Sequence, residues 1–292
     1  SLPQLEGERV LAGLAAPVRV ERDALGVPVV RGASRADVAR ATGFLHAQDR
    51  FFQMDLLRRS AAGELAALFG KAALEMDKEA RVVRPRLVAR RAVEALEAEE
   101  RTILAAYAAG ANAGLSALGA PPFEYLALRA DPLPWREEDS MLCALAMYRD
   151  LQGRQPQQEA LLGLLRETLP RELVDFVAPV GTEWDAPIEG DPIPMPALPG
   201  PDVVDLRKAK PAAAAAQALP APGPLAFLGV PVGPVPADDD AYVRGSNNWA
   251  VAGAHTAHGG ALLANDMHLG ISVPNTWYRL SLVFPGVDGE RR

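Results

Sequence analysis

The spacing of apolar residues along the first part of the chain predicts two short strands and then a helix. Residues 19–32 carry Val20, Val27, Val29 and Val30 and are interrupted at Ala24-Leu25-Gly26, a pattern typical of a strand, a turn and a second strand. Ser34 with Asp37 three residues later predicts a helix N-cap with a capping box. After this cap, seven apolar residues recur at helical spacing and are predicted to form one buried stripe. They are Phe44, Leu45, Phe51, Phe52, Met54, Leu56 and Leu57.

Further helical patterns follow. Gly63 and Gly70 are predicted to break the helical pattern. Apolar residues recur again at helical spacing from Arg86 to Leu118 and from Glu137 to about Arg166. The acidic run Glu97-Ala98-Glu99-Glu100 lies inside the first of these stretches. We expect it to be a solvated helix face, which is the usual role of such a run.

The composition changes between residues 201 and 245. A mainly helical region is predicted for residues 1–200, whereas the next segment carries the run Pro211–Ala216 and the acidic tip Asp238-Asp239-Asp240. Such a composition buries too little apolar surface to offset the entropy that is lost on ordering. We therefore predict a linker over residues 201–245 and a third region over residues 246–292.

The third region begins with the pattern of a β-hairpin. Trp249 and Val251 alternate with smaller residues as in a strand, and Gly259-Gly260 predicts a turn. A second apolar strand is predicted at Ala261–Ala264, followed by the polar cluster Asn265–His268. A hairpin that starts directly after a linker is what a precursor cleaved at that junction needs.

Composition and charge exclude several classes of protein. The 292 residues carry a net charge of −7, with 49% apolar and 23% charged residues, which is ordinary for a globular protein and argues against nucleic-acid binding. The sequence contains no uninterrupted apolar run of about 20 residues, so it predicts no membrane-spanning helix. Ser1–Gln4 does not have the pattern of a secretory signal. The single cysteine, Cys143, lies in an apolar run and is predicted to be buried and inert.

Ser246 is the candidate nucleophile. A serine hydroxyl needs a base, and the serine's own α-amino group, with a pKa of about 8, can serve when the serine is the first residue. The Gly245–Ser246 bond must then be cut first. Gly245 suits attack by the Ser246 hydroxyl, because it has no side chain and tolerates unusual torsions. Taken alone, a Gly-Ser pair is more typical of a plain turn.

Three separated segments carry a recognisable pattern. The segments are Arg22–Pro28, Gly43–Asp55, and Gly245–Ala252 with Leu263–Leu269. Together they resemble the penicillin acylase family of N-terminal nucleophile hydrolases, and their order matches an α-chain, a spacer and the start of a β-chain. The resemblance covers about residues 19–160 and 244–285.

The resemblance implies an α+β fold, the αββα four-layer sandwich of these hydrolases, with a mainly helical α-chain region and only the start of the β-chain. It implies self-cleavage at Gly245–Ser246 into an α/β heterodimer. The mature enzyme would be a penicillin-acylase-like amidase that hydrolyses N-acyl amides through an acyl-enzyme on Ser246. Its substrates would be β-lactam side-chain amides, acyl-homoserine lactones or related acyl amides, and its location periplasmic or extracellular. His268 matches a family position close to the nucleophile, and the main oxyanion donors are expected beyond Arg292.

The resemblance also implies weaker candidates. Met147, Tyr148 and Leu151 fall where the α-chain lines the acyl pocket, and Leu269 follows the active-site hairpin; a plain core role is the alternative for these residues. The family requires no cofactor for its chemistry but often binds a structural calcium ion. Glu159 is the nearest counterpart of its α-chain ligand.

The other histidines are expected to play lesser roles. His46 is expected to be structural, within a packed polar network with Asp49 and Arg50. His255 and His258 are expected to be solvated in the hairpin turn, where they lack the acidic or cysteine partners of a metal site.

Two other functions stay open. The helical region can be a non-catalytic binding module of an acylase-like protein that lacks its catalytic half. Alternatively, Ser246 can act without cleavage, as an internal nucleophile with His268 or His46 as its base.

Overall fold

The computed structural model describes residues 2–152, 155–182, 185, 187, 189–205, 207–208, 245–269, 273–286 and 289–291. The chain divides into two compact units, one of Ser1–Leu151 with Pro220–Arg292 and one of Gln152–Leu219. Both sides of the Gly245–Ser246 bond therefore belong to the first unit. Most of the predicted linker lies outside the described residues.

Two short strands open the first unit, as predicted. β1 (Arg19–Arg22) and β2 (Pro28–Arg31) pair antiparallel. Asp23 holds the turn between them, because its carboxylate accepts hydrogen bonds from the backbone N–H groups of Leu25 and Val27, each at 2.9 Å. Aspartate is favoured in turns for this reason.

The long helix α1 (Arg35–Ala62) begins at the predicted cap. Ser34 Oγ accepts a hydrogen bond from the Asp37 backbone N–H at 3.1 Å, as predicted for the cap. The Asp37 carboxylate accepts from the Ser34 hydroxyl at 2.8 Å, whereas in the predicted capping box it would accept from the Ser34 backbone N–H, so this part of the prediction is corrected. The helix ends at Gly63, whose φ of 70° is the left-handed conformation that glycine adopts most readily. Inside the helix, Arg50 has a non-helical backbone (φ −146°, ψ 19°), so α1 is kinked there.

The buried side of α1 differs from the predicted stripe in two ways. Leu57 is exposed, which corrects the prediction, whereas Asp55, Arg58 and Arg59 are buried. The two arginines donate from Nε to Asp55 Oδ1 at 2.7 and 2.9 Å, and such pairing is what makes buried charge tolerable. Of the other predicted stripe residues, Leu45, Phe51, Phe52 and Leu56 are buried, and Phe44 and Met54 are partly buried.

The later helices of the first unit are separated by short turns. The pattern from Arg86 to Leu118 corresponds to two helices rather than one, because a new capping box forms between Glu97 and Glu100. The acidic run is exposed, as predicted, but it starts a helix. The helices are α2 (Ala66–Phe69), α3 (Leu74–Arg81), α4 (Pro85–Glu94), α5 (Ala98–Ser116), α6 (Phe123–Leu128) and α7 (Glu137–Gln152).

Helix α5 packs against α1 at very short range. A Cβ atom on Gly110 would collide with the carbonyl oxygen of Arg40, and one on Gly43 with that of Tyr107. Glycine at these positions lets the two backbones touch. The main apolar core lies along this contact and includes Ala47, Phe51, Phe52, Ala108, Ala111, Tyr125 and Trp135.

Residues from the two ends of the sequence complete the first sheet. β5 (Ser281–Gly286) pairs parallel with β2, and β6 (Gly289–Arg291) pairs antiparallel with β5, which gives the order β1-β2-β5-β6. A second apolar cluster joins this sheet to α1. Its buried members are Val30, Val38, Ala41 and Leu45, and Val18, Leu280, Leu282 and Phe284 pack against them.

The second unit contains helices α8 (Gln155–Thr168) and α9 (Arg171–Val177). Helix accounts for 49% and strand for 12% of the described residues, which confirms the mainly helical α+β class. No helix among the described residues is long and apolar enough to cross a membrane.

Candidate active site

The candidate nucleophile lies at the start of a β-hairpin, as predicted. β3 (Gly245–Val251) and β4 (Leu262–His268) form an antiparallel two-stranded sheet. The second strand was predicted to end at Ala264, but β4 continues through the polar cluster Asn265–His268. It does so because each residue of the cluster pairs with a residue of β3.

The strand register decides which side chains share a face. Gly245 lies opposite His268, and Ser246 lies opposite Met267. Residues directly opposite share a face, and successive residues alternate between faces. The side chain of Ser246, an exposed residue, therefore lies on the Met267 face, and that of His268 lies on the other face.

His268 shares its face with two polar residues. Its Nε2 lies 3.2 Å from Asp266 Oδ2 and 3.3 Å from Asn247 Nδ2. When Nε2 carries the proton the imidazole donates to Asp266, and when Nδ1 carries it the Asn247 amide donates to Nε2. Neither Asp266 nor Asn247 was among the site residues predicted from the sequence. The signal that could have found Asp266 is its position two residues before His268 on one strand.

The candidate pocket residues are spread over two elements. Met147, Tyr148 and Leu151 lie in the C-terminal half of α7, where Tyr148 is 60% and Leu151 48% exposed, so these two are not core residues. Leu269 directly follows β4, and its backbone N–H donates to the Met267 carbonyl at 3.1 Å. Their role in a pocket stays a prediction.

Glu159, the candidate calcium ligand, lies exposed in α8. Within the described part of the chain, no group of three or more His, Cys, Asp or Glu residues lies close enough to hold a metal ion. A calcium site at Glu159 stays a prediction. His255 and His258 are exposed in the hairpin turn, as predicted.

The polar network predicted around Asp49 and Arg50 forms at the kink of α1. Asp49 Oδ2 accepts a hydrogen bond from the Tyr278 hydroxyl at 2.6 Å and one from Arg22 Nη2 at 2.8 Å. The neighbouring Arg50 donates from Nη1 to the Asn275 carbonyl at 2.9 Å. The network therefore joins α1 to a segment that follows the hairpin, a connection that no local sequence pattern indicates.

His46 lies beside this network and is held as a neutral side chain. Its Nδ1 lies 2.9 Å from the Tyr107 hydroxyl, and its ring meets the Tyr278 ring edge-on at 4.5 Å between centroids. Nε2 is buried and has no hydrogen-bond partner among the described residues. Burial lowers the pKa of His46 to about 4. This placement agrees with the structural role expected for His46.

Cys143 is partly buried, rather than fully buried as predicted, and packs against the main apolar core. Burial raises the pKa of its thiol to about 12, so the thiol stays protonated near neutral pH. The predicted inert role of this cysteine is consistent with both observations.

Comparison with known proteins identifies close relatives of the chain. It is 37% identical to the penicillin acylase 2 proenzyme of Pseudomonas sp. (strain SE83), over 99% of this chain and 36% of that protein. It is 29% identical to the acyl-homoserine lactone acylase QuiP of Pseudomonas fluorescens (strain Pf0-1), over 95% of this chain and 32% of that protein. The chain therefore spans about a third of the length of these relatives.

A solved structure shows the same fold. The chain resembles a thermostable penicillin G acylase from Alcaligenes faecalis with a TM-score of 0.51 and 28% identity, over 61% of this chain and 98% of that chain. This likeness confirms the N-terminal nucleophile hydrolase fold expected from the sequence. The penicillin amidase family model matches residues 17–289. The chain thus belongs to the penicillin amidase family.

Proposed function

We propose that this chain is the front part of an amide hydrolase precursor that cuts itself at Gly245–Ser246. The position of this bond carries the proposal. It is the first peptide bond of β3, Ser246 is exposed, and every later residue of β3 pairs with β4. A cut there leaves Ser246 as the first residue of a strand that its partner strand still holds.

The atoms exchanged in the cut all come from Gly245, Ser246 and one water molecule. The Ser246 hydroxyl attacks the Gly245 carbonyl carbon, the amide nitrogen departs as the Ser246 amine, and its proton comes from the hydroxyl. Water then hydrolyses the resulting ester and leaves a carboxylate on Gly245. Because Gly245 has no Cβ, nothing on that residue blocks the approach of the hydroxyl.

After the cut, the freed amine is the base of the mature enzyme. It takes the hydroxyl proton, through a bridging water, as Ser246 attacks the substrate carbonyl. An acyl-Ser246 forms and water hydrolyses it. Oxyanion donors from residues beyond Arg292 complete the site, each typically contributing about 2.7–4 kcal/mol.

We propose that His268 acts beside Gly245 and the peptide bond that is cut, and not beside the Ser246 side chain. In the uncut hairpin its imidazole lies on the face away from the Ser246 side chain and directly across from Gly245. This position suits an interaction with the new amine or with a water beside it, rather than with the hydroxyl.

The relatives support the substrate class and the processing. One is named for penicillin and another for acyl-homoserine lactone, and both are named acylases. We infer that the substrate is an N-acyl amide of this general kind. The chain of the solved relative corresponds to about three fifths of this one, which supports an enzyme of two chains. Periplasmic or extracellular location is part of the same proposal.

The mass of the purified full-length protein tests the proposal. Two products that meet between Gly245 and Ser246 are expected, and the Ser246→Ala variant is expected to stay intact. Ser116→Ala, at the exposed end of α5, is the matched control and is expected to be cut normally. An intact wild-type chain that still hydrolyses acyl amides would overturn the N-terminal-amine mechanism. An intact chain without hydrolysis would favour the binding-module alternative.

A further inference from the structure

The two products of the proposed cut contact each other at a second place. Residues 275–286 follow the cut, and they lie against residues 22–50, which precede it. The contact consists of a polar cluster, a strand pair and part of an apolar core. Once the Gly245–Ser246 bond is broken, no covalent bond links these two segments.

We propose that Asp49 is the anchor of the interface that holds the two products together, an inference that rests on the proposed cleavage. A single oxygen, Asp49 Oδ2, accepts hydrogen bonds from Tyr278 at 2.6 Å and from Arg22 at 2.8 Å. This carboxylate thus joins α1, the end of β1 and the segment that follows the cut.

The anchor is shielded enough to matter energetically. The side chains of Asp49 and Arg22 are only 17% and 22% exposed. Charge-assisted hydrogen bonds at such sites are stronger than those of exposed pairs, which typically contribute little. Burial and the hydrogen bond to Asp49 raise the pKa of Tyr278, so its hydroxyl keeps the proton that it donates.

Two further side chains of α1 contact the same short segment, residues 275–278. Arg50 Nη1 donates to the Asn275 carbonyl at 2.9 Å, and the Tyr278 ring packs edge-on against His46. The contacts are made by Asn275 and Tyr278, which precede and follow Trp277 in the chain. They hold the backbone of the segment in place just before β5.

The strand pair alone is a weak link. It consists of three residue pairs in parallel register, from Val29 with Ser281 to Arg31 with Val283. Parallel pairing is slightly less stable per residue than antiparallel pairing, and so short a pair needs further support. The Asp49 anchor provides this support next to the first pair.

The test makes the cut independently of Ser246. A recognition sequence for a specific protease is inserted in the Pro211–Ala216 run of the Ser246→Ala protein, and the added protease separates the chain into two products. Dissociation of the products on dilution is followed by size-exclusion chromatography. The variants are Asp49→Asn, Tyr278→Phe and, as a matched control, Glu75→Gln, which removes a carboxylate from an exposed ion pair with Lys78.

The dissociation constant is expected to rise about ten- to hundredfold in Asp49→Asn and about tenfold in Tyr278→Phe, and to stay unchanged in Glu75→Gln. Unchanged dissociation in both interface variants overturns the anchor. Tyr278→Phe loses only a hydroxyl and decides the matter if Asp49→Asn does not fold. An uncut wild-type chain beside weakened interface variants would reject self-cleavage and keep the anchor.

Discussion

A fully buried carboxylate, Asp55, organises the charged side of α1. It receives hydrogen bonds from Arg58, Arg59 and the Tyr125 hydroxyl at 2.7–2.9 Å. Asp55→Asn is expected to lower the free energy of unfolding by about 3–5 kcal/mol, because it removes the carboxylate that the buried guanidinium groups of Arg58 and Arg59 share. Urea denaturation measures the change. Glu75→Gln, at an exposed pair, is the control, and a similar small loss in both variants would contradict the prediction.

His46 predicts a pH dependence of stability. Burial lowers its pKa to about 4, against about 6.5 in an unfolded chain; nearby Asp49 acts to raise the pKa and Arg50 to lower it. Between these values the unfolded chain binds a proton that the folded chain does not. Stability is therefore complete above pH about 6.5 and falls as the pH drops towards about 4, by at most about 3 kcal/mol.

The His46→Gln variant isolates this contribution. It keeps a polar side chain next to Tyr107 but cannot titrate, so its stability is expected to fall less than that of the wild type between pH about 7 and about 4.5. Urea denaturation across this range measures both curves, and the carboxylates common to the two proteins cancel in the difference. Parallel curves would show that the His46 proton is not linked to folding.

At the scale of elements, the sequence predicts the features that depend only on residues close together in the chain. Ser34 and Gly63 bound α1 through their own hydrogen bonds and backbone angles, so their signals are local and the predictions are confirmed. Apolar spacing indicates a buried Leu57 and an exposed Arg58, but the structure has Leu57 exposed and Arg58 buried. Arg58 can be buried because it donates hydrogen bonds to Asp55 and to Asp139, which is 81 residues away. The pairing of β2 with β5 is equally non-local.

The α1–α5 contact makes a prediction of its own. Gly110→Ala is expected to destabilise the protein by about 1–3 kcal/mol, because the new methyl group forces α5 away from the Arg40 carbonyl. Gly163→Ala in α8 is the matched control. Among the described residues, no atom lies within 4 Å of its new methyl group, so it is expected to stabilise its helix by up to about 1 kcal/mol. Thermal unfolding of both variants gives the comparison, and equal shifts would mean that the helices do not touch as described.

At the scale of the whole molecule, the first unit contains residues from both sides of the proposed cut. The hairpin that carries the candidate nucleophile could be predicted from residues 245–268, because Gly-Ser, the turn glycines and the motifs of this segment are all local. The face that His268 occupies could not, because it depends on the register of two strands. The Asp49 anchor could not either, since Asp49 and Tyr278 are 229 positions apart.

This arrangement predicts that the cut turns unfolding of the first unit from a reaction of one chain into one that releases two chains, and so makes it depend on protein concentration. The first unit of the uncut Ser246→Ala protein unfolds as one chain, so its urea midpoint is expected to be independent of protein concentration. After a cut at Gly245–Ser246, unfolding of the same unit releases two chains, and each tenfold dilution is expected to lower its apparent free energy by about 1.4 kcal/mol. Urea curves at several protein concentrations make the comparison. A cut protein whose midpoint ignores dilution would mean that the two products do not share one folded core, contrary to the sheet in which β2 and β5 pair.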